Sequence, residues 1–305
     1  MTNISLRQAN DVVSPRPNPQ KRNIIIYRLA HGPWWLLILL GFVLIFAITV
    51  QDRQYYPSAW ENVQSGIIVT IRVTMAAYSL ALLMGLIIAL LRRPSRSLLY
   101  TVFVYQPISV WVELIRGIPT LVLLLYIALA LAPEIVKSIN ALGEWLLMRN
   151  LGLFGLAEDM EGLGIRDFTF EYRAIIALAI SYSAFLSEVF RAGIESIDNG
   201  QREAARSLGM SNWQVNRHVV LPQAIKNVLP PLGNDFIAML KESSLVSVVG
   251  VTDITREARD FNSATFTLFP AYNIIALTYL VITLALSLLV KALETYLGRG
   301  NQQSR

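Results

Sequence analysis

Polar residues interrupt a mainly apolar stretch, roughly residues 224–251, and six of them are candidates for a polar path or an ion pair. They are Asn234, Asp235, Lys241, Glu242, Ser243 and Ser244. In a membrane an ionisable side chain costs at least about 2.5 kcal/mol, so it is kept where water, a counter-charge or a ligand compensates it. The Lys241 ammonium suits a carboxylate ligand, and Asn234 and Asp235, two helical turns earlier, suit an amine or an internal salt bridge. Adjacent residues lie about 100° apart on a helix, so we expect Lys241 to face a polar path and Glu242 a packing partner. The alternative is that both charges pair with neighbouring helices for assembly alone.

Two further pairs of charges lie near the ends of apolar runs. Glu113 and Arg116, and likewise Glu188 and Arg191, are three residues apart and therefore share a helical face. The first pair adjoins a break at residues 117–119, which contains glycine and proline and frees backbone groups that need partners. We interpret both pairs as structural rather than ligand-binding.

A polar segment between two apolar runs, residues 199–222, has a different pattern. It predicts a short helix, a glycine end at Gly209, and a second short helix that Ser211 N-caps. The first helix is expected to place small residues on one face and polar residues on the other: Ala204, Ala205 and Leu208 against Glu203, Arg206 and Ser207. Two short helices at a sharp angle suit the groove of another protein. An amphipathic turn resting on the membrane is the alternative, but this face lacks the large anchors such a turn needs.

These polar residues must be positioned by apolar helices, and the composition of the chain indicates that such helices are present. The 305 residues are 54% hydrophobic and 15% charged, with a mean hydropathy of +0.48, where soluble domains have about 25% charged residues. Six apolar runs are long enough, or nearly so, to cross a bilayer: 34–50, 67–91, 110–131, 174–190, 224–251 and 271–293. The fold class predicted is therefore an all-α polytopic membrane protein. The absence of cysteine excludes a disulfide framework and thiolate metal sites, and we expect no catalytic constellation, no metal site and no nucleic-acid partner.

Basic residues outside the runs predict the orientation. Lysine and arginine concentrate in residues 1–33, 92–96 and 199–222, which indicates the cytoplasmic side, together with a short tail at 298–305. The opposite set is acidic, chiefly an insertion at 133–172, in which residues 135–148 show helical spacing of apolar side chains. Both termini are expected inside, and the insertion is expected outside with a helix along the outer face.

The segment at 199–222 carries a resemblance to a known family. Glu203-Ala204-Ala205, three residues, Gly209, nine residues, then Val219-x-Leu221-Pro222 resembles the EAA loop of ABC importer permeases, with valine for the usual isoleucine. Further blocks are similar to the polar amino acid permeases of the histidine, glutamine and general L-amino acid type: 113–119, 187–194, 221–224, 230–236 and 240–245. The resemblance covers about residues 57–297. The first apolar run and the insertion depart from the smaller members.

The resemblance implies a five-helix permease domain at 57–297, preceded by one additional transmembrane helix at 34–51. Two such cores pair, and each inserts its EAA loop into an ATPase subunit, with Glu203, Ala204, Ala205, Arg206 and Gly209 at the contact. A periplasmic binding protein would deliver an L-amino acid for passage across the bacterial inner membrane. The chain itself has no Gly-Lys-Ser or Gly-Lys-Thr for a phosphate cradle, so ATP and Mg are expected on the partner and no cofactor or enzyme activity on this chain. An ion-gradient-driven secondary transporter is the alternative, but it leaves the EAA block unexplained.

Overall fold

A computed structural model describes residues 40–41, 55–93, 97–149 and 154–302. The chain divides into two compact units, Met1–Asp52 and Arg53–Arg305, and the account below concerns the second. The predicted first span at 34–51 lies outside the described residues except for Leu40 and Gly41, which are helical. The tail at 1–33 lies wholly outside them.

The described part of the second unit is helical and contains no strand. Its helices, in chain order, are α1 Tyr56–Leu91, α2 Leu98–Gly117, α3 Thr120–Met148, α4 Phe154–Glu161, α5 Phe170–Glu195, α6 Asn199–Ser207, α7 Asn212–Val215, α8 Leu221–Glu242, α9 Ile254–Thr265 and α10 Phe269–Gln302. Helices α2 and α3 each contain a π-helical turn, at Thr101–Tyr105 and Tyr126–Leu131. A 3₁₀ segment, Ser243–Val249, continues α8.

Five of these helices are long and apolar enough to cross a membrane. They are α1, α2, α3, α5 and the part of α10 at Phe269–Leu297. The predicted class, an all-α polytopic membrane protein, is confirmed.

Helices α1 and α5 form the centre of the bundle and run parallel, since Arg72, Gly85 and Arg92 contact Glu171, Leu186 and Glu188 in the same order along the chain. Their contact is close because small residues line it: a Cβ added at Gly85 would lie 3.0 Å from both the Leu186 Cβ and the Ser183 carbonyl oxygen. Small side chains let helix backbones approach where lipid provides no hydrophobic drive for association. At the far end of this contact Arg72 donates two hydrogen bonds of 2.7 Å to Glu171.

Helix α8 runs the length of this bundle although its hydropathy keeps it outside the five apolar helices. Near its start Val228 packs directly on Gly193, and halfway along it the Tyr78 hydroxyl donates to the Leu232 carbonyl at 2.6 Å. Beyond the 3₁₀ segment the Ile254 N–H donates to Thr70 Oγ1 at 3.2 Å, close to the other end of α1. The predicted crossing at 224–251 is therefore a helix, Leu221–Glu242, continued by the 3₁₀ segment, that runs beside α1 and α5. It is not among the five apolar helices, so its passage through the membrane stays a prediction.

The predicted span at 110–131 is wrong as a single element. Helix α2 ends at Gly117, Ile118 is extended with φ −99° and ψ 131°, and α3 begins after Pro119. The ring of a proline disfavours a helical conformation in the residue before it, which explains the break. The Tyr100 hydroxyl donates to the Leu91 carbonyl at 2.7 Å, and Ser109 accepts a hydrogen bond from Arg92 at 3.1 Å. Helix α2 therefore stays at one end of α1.

The expected outer-face helix at 135–148 is also not a separate element. It is the second half of α3, because Ala132–Met148 continues without interruption from the π-helical turn. The apolar spacing of these residues identified the helix correctly but could not show where it begins. The following helix, α4, packs against it, and the Asn140 side chain donates to the Leu163 carbonyl at 3.1 Å.

Candidate functional site

The first helix of the EAA segment, residues 199–220, ends before Gly209 as the sequence predicts. The second begins after Ser211 as predicted, but the expected end near His218 is wrong, because the helix continues through a π-helical turn, Asn216–Val220, into α8. Gly209 has φ +81°, a left-handed conformation that favours glycine, and it ends the turn after α6. Ser211 N-caps α7 in a reciprocal pair with Gln214: the Gln214 N–H donates to Ser211 Oγ at 3.3 Å, and the Ser211 N–H donates to Gln214 Oε1 at 2.8 Å. The two short helices are thus held at a fixed angle.

Apolar side chains attach the EAA segment to the bundle. Ala205 of α6 and Val215 and Val220 of the following turns are buried together with Ile197 and Ala224. These contacts span the end of α5 and the start of α8, so the segment is packed onto both of the helices that it connects.

The surface that the EAA segment leaves open differs from the predicted faces. Ala205 points into the bundle, whereas Ala204 and Leu208 are exposed, so the three small residues do not form one face. The reason is that the bundle, rather than a partner, takes the position at Ala205. Glu203, Arg206, Ser207 and Gly209 are exposed as well, and Leu208 and Trp213 show 84% and 64% of their surface. An exposed leucine and tryptophan beside a glutamate form an open mixed surface at this end of the bundle.

Glu188 connects three helices just above the EAA segment. Its two carboxylate oxygens accept hydrogen bonds from Arg92 at the end of α1, at 2.5 Å, and from Arg191, at 2.6 Å. Arg116 of α2 lies 3.8 Å from the same carboxylate and 3.9 Å from Glu113. The two pairs noted in the sequence therefore belong to one network, and Arg92, which is 8% exposed, is the member that the sequence analysis did not identify.

The polar residues of α8 form two stripes rather than one. Asn234 and Lys241, seven residues apart, are exposed on the outside of the chain. Asp235 and Glu242, one position further along, point inward, and each has a carboxylate oxygen that is buried without a hydrogen-bond partner in the described part of the chain. Ser243 is buried and donates to the Leu240 carbonyl at 2.7 Å, while Ser244 donates to the Lys241 carbonyl at 2.8 Å.

Two tyrosines complete the inner stripe. Tyr182 of α5 lies close to Glu242 and Asp235 and to Tyr78 of α1. Both tyrosines are almost fully buried. They lie inside apolar runs, where nothing in their spacing distinguishes them from ordinary core aromatics, so sequence reasoning missed them. The arrangement is an acidic, hydroxyl-bearing site midway along the bundle, with unused acceptors suited to a cation.

No group of three or more histidine, cysteine, aspartate or glutamate side chains suited to a metal ion occurs among residues 40–41, 55–93, 97–149 and 154–302. The charged residues around Glu188 pair with one another. The inner stripe keeps unpaired carboxylate oxygens, which an organic ligand would find as hydrogen-bond acceptors.

The fold and site together define a multi-pass membrane protein, helical throughout its described residues, with two polar stripes along one helix and an exposed EAA segment at one end. Residues 81–301 match the family described as "Binding-protein-dependent transport system inner membrane component". The chain belongs to this family, and it is accordingly a multi-pass protein of the bacterial inner membrane.

Individual relatives agree with the family match. The "Probable amino-acid permease protein YxeN" of Bacillus subtilis (strain 168) is 30% identical over 248 residues, which cover 81% of this chain and 96% of that protein. The "Glutamine transport system permease protein GlnP" of Escherichia coli (strain K12) is 32% identical over 185 residues, covering 61% of this chain and 72% of that protein.

Two solved structures share the fold. One is a chain of the "Crystal structure of an amino acid ABC transporter with histidines", with a TM-score of 0.61 and 38% identity, covering 81% of this chain and 97% of that chain. The other is a chain of the MetNI methionine ABC transporter in an inward facing conformation, with a TM-score of 0.55. At 17% identity, over 79% of this chain and 98% of that one, it supports the fold alone.

Proposed function

We propose that this chain is the permease subunit of an ATP-driven importer that carries L-amino acids across the bacterial inner membrane. The family match carries this proposal, because it covers residues 81–301 and therefore includes the EAA segment and both stripes of α8. The substrate class rests on the amino-acid and glutamine permeases named among the relatives and on the 38% identity to a chain of an amino acid ABC transporter. The family gives no support to the alternative of a secondary transporter.

The EAA segment is the proposed contact with a separate ATPase subunit. Glu203, Ala204, Arg206 and Gly209 lie on its open surface, while Ala205 fixes the segment to the bundle. A carboxylate and an exposed leucine supply charge-assisted hydrogen bonds and apolar contact to a groove in the partner. ATP and Mg would be bound by that partner, and this chain would bind no cofactor of its own.

The proposed contact between the EAA segment and the ATPase determines which end of the bundle faces each side of the membrane. The EAA segment would be cytoplasmic, and the opposite end of the bundle, with the insertion at 133–172 and helix α9, would face the periplasm and receive a binding protein. Both termini would then lie in the cytoplasm. The domain boundaries remain those proposed from the sequence: a tail at 1–33, an additional helix at 34–51, the permease domain at 57–297 and a tail at 298–305.

The path for the substrate would run along α8. The inner stripe of Asp235 and Glu242, with its unpaired buried oxygens, would receive the amino group, and Lys241 with Asn234 on the outer stripe would receive the carboxylate. Ser243 and Ser244 lie at the level of Lys241 and would complete the path. A charged side chain facing hydrocarbon is costly, so the exposed Lys241 supports pairing of α8 with a second permease subunit, whether a copy of this chain or a paralogue.

The test is transport by the assembled complex. Tagged chain is purified with its associated proteins, these are identified by mass spectrometry, and the complex is placed in proteoliposomes with its binding protein and labelled amino acids. We expect an ATPase subunit in the complex and ATP-dependent uptake. Uptake that follows an ion gradient and continues without ATP would overturn the proposal.

A further inference from the structure

A cavity of about 630 Å³ lies between the EAA segment and the ends of the central helices. Its walls come from the last turns of α1 and α5, from the two short helices of the EAA segment, and from the start of α8. Five arginines line it, against a single acidic residue, Glu195: Arg92, Arg93, Arg191, Arg202 and Arg217. Such an excess of one charge in a concave site raises the local concentration of anions.

Two of the five arginines are already neutralised. Arg92 and Arg191 share the carboxylate of Glu188, and Arg191 also pairs with Glu195 at 3.2 Å. Their charges contribute to the network that joins the helices and leave little for a ligand.

The other three arginines form no salt bridge within the described ranges of the chain. Arg202 donates from Nη2 to the Ile194 carbonyl at 3.0 Å, but its Nε is buried and has no acceptor. The guanidinium of Arg217 lies 5.0 Å from the centre of the Trp213 ring, and that contact fixes the side chain without neutralising it. Arg93 is exposed at the end of α1. A buried N–H without an acceptor is costly, so this wall of the cavity is built for an anion.

The remaining wall is apolar, and it lies where the bilayer ends. Ile194, Val220 and Ala224 contribute aliphatic surface beside the arginines, and the apolar helix α1 stops at Leu91, immediately before Arg92 and Arg93. Basic pockets between transmembrane helices on the cytoplasmic side suit the head groups of anionic lipids. An arginine fork matches phosphate oxygens, and the aliphatic wall matches the glycerol and the first methylenes of a chain.

We propose that this cavity binds the phosphate head group of an anionic phospholipid. The phosphate lies among Arg93, Arg202 and Arg217 and supplies the acceptor that Arg202 Nε lacks. Because Arg93 follows directly after the end of α1 and the other two belong to the EAA segment, the bound lipid links that segment to the bundle and limits its movement. The inference rests on the proposed cytoplasmic position of the EAA segment but not on the identity of the substrate.

The test measures lipid binding by the purified full-length chain in neutral detergent. Isothermal titration uses three probes: dihexanoylphosphatidylglycerol, dihexanoylphosphatidylcholine and inorganic phosphate. We expect the anionic lipid to bind and the other two to bind at least about tenfold more weakly. The double variant Arg202→Gln/Arg217→Gln should lose at least about tenfold in affinity, since it removes two charge-assisted contacts.

The matched control is Arg166→Gln/Arg259→Gln, which removes two exposed arginines at the opposite end of the bundle and should keep the affinity within about twofold. If inorganic phosphate binds as tightly as phosphatidylglycerol, the cavity is a site for free anions and the proposal of a lipid ligand is overturned. Equal binding of phosphatidylcholine, or unchanged affinity in Arg202→Gln/Arg217→Gln, would also overturn it. If Arg202→Gln/Arg217→Gln does not fold, the same titration is made with Arg93→Gln, a change at an exposed residue. Weaker binding of phosphatidylglycerol then supports the proposal, and unchanged binding overturns it.

Discussion

Arg92 at the end of α1 donates to Glu188 in the middle of α5 at 2.5 Å, and both side chains are largely shielded from solvent. Removing one partner of a buried ion pair leaves the other charge uncompensated, which costs about 3–5 kcal/mol. We therefore expect Glu188→Gln to lower the thermal unfolding temperature of the detergent-solubilised chain clearly, as measured by fluorescence-detected size exclusion after heating.

The control for Glu188 is Glu195→Gln. Its side chain is 57% exposed and also contacts Arg191, so its ion pair contributes about 0–1 kcal/mol. Equal melting temperatures for Glu188→Gln and the wild-type chain would show that the Glu188 network does not hold the helices together.

The turn at Gly209 is the second point for mutation. Gly209 has φ +81°, so the backbone of a valine at this position would be strained, even though its Cβ would meet nothing within 4 Å. Gly209→Val and Glu203→Lys should therefore abolish ATP-dependent uptake while the protein still inserts and the bundle still folds. Gly155→Val, which places the same side chain at a helical glycine with equally open space, should transport normally. Normal uptake by both Gly209→Val and Glu203→Lys would contradict the coupling role.

Lys241 and Glu242 allow the two stripes of α8 to be separated. Lys241→Met keeps most of the side-chain volume and removes the charge, so uptake should fall while assembly with the ATPase persists. Glu242→Gln removes a carboxylate that would receive the substrate amino group, so substrate-stimulated ATPase activity and uptake should fall in this variant as well. The measurements are uptake and substrate-stimulated ATPase activity in the same proteoliposomes. Normal transport by Lys241→Met, with loss of stimulation in Glu242→Gln, would assign the path to the inner stripe.

Asp253, in the turn before α9, gives a pH dependence. Its Oδ1 accepts the Arg256 N–H at 2.9 Å, while its Oδ2 is buried without a partner in the described residues. Burial raises the pKa of this carboxyl to about 6, against hydrogen bonds that lower it. The folded chain thus holds the proton more tightly than the unfolded chain, so the Asp253 contribution to stability increases as the pH falls from about 6 to 4.

Thermal melts of the wild-type chain and Asp253→Asn between pH 4 and 7 measure this contribution. The asparagine still caps α9 but does not titrate, so its melting temperature should gain less on acidification. Asp260→Asn, a change at an exposed residue of α9, serves as the control and should follow the wild type. Parallel curves for Asp253→Asn and the wild type would show that Asp253 does not titrate in this range.

The proposed sides of the membrane can be tested with single cysteines, since the natural chain has none. Ser138 on α3 and Ser207 on the EAA segment are both exposed. In intact cells an impermeant maleimide should label Ser138→Cys but not Ser207→Cys, and permeabilised cells should show both. The reverse pattern would invert the topology.

The sequence predicted the fold class well because hydropathy and length are set by the bilayer itself. It predicted an ordered segment at α8 despite Pro230, Pro231 and the charges, because an apolar background remained around them. It predicted the break at 117–119 but counted both sides of it as one span at 110–131. An apolar run has the same composition whether it crosses the bundle or stays at one end. Only the contacts of Tyr100 and Arg92 with their neighbours distinguish the two.

The residues of the candidate site could be predicted from the sequence, but the directions in which their side chains point could not. Asp235 and Glu242 were identified from their charge, whereas their inward orientation depends on Tyr78 and Tyr182, which belong to other helices. The same limit applies to Arg92, which the sequence showed only as the end of a span. Partners from distant positions have no signature in a single sequence.

Helix α3 joins the break at Ile118–Pro119 to the opposite end of the bundle as one continuous helix, which is stiffer than a loop of the same length. Its 29 residues extend about 44 Å, whereas the hydrocarbon core is about 30 Å thick. Roughly a third of this hydrogen-bonded rod must therefore stand clear of the lipid. A rotation of about 10° about the break at Ile118–Pro119 would move the Met148 end of α3, against which α4 packs, by on the order of 8 Å.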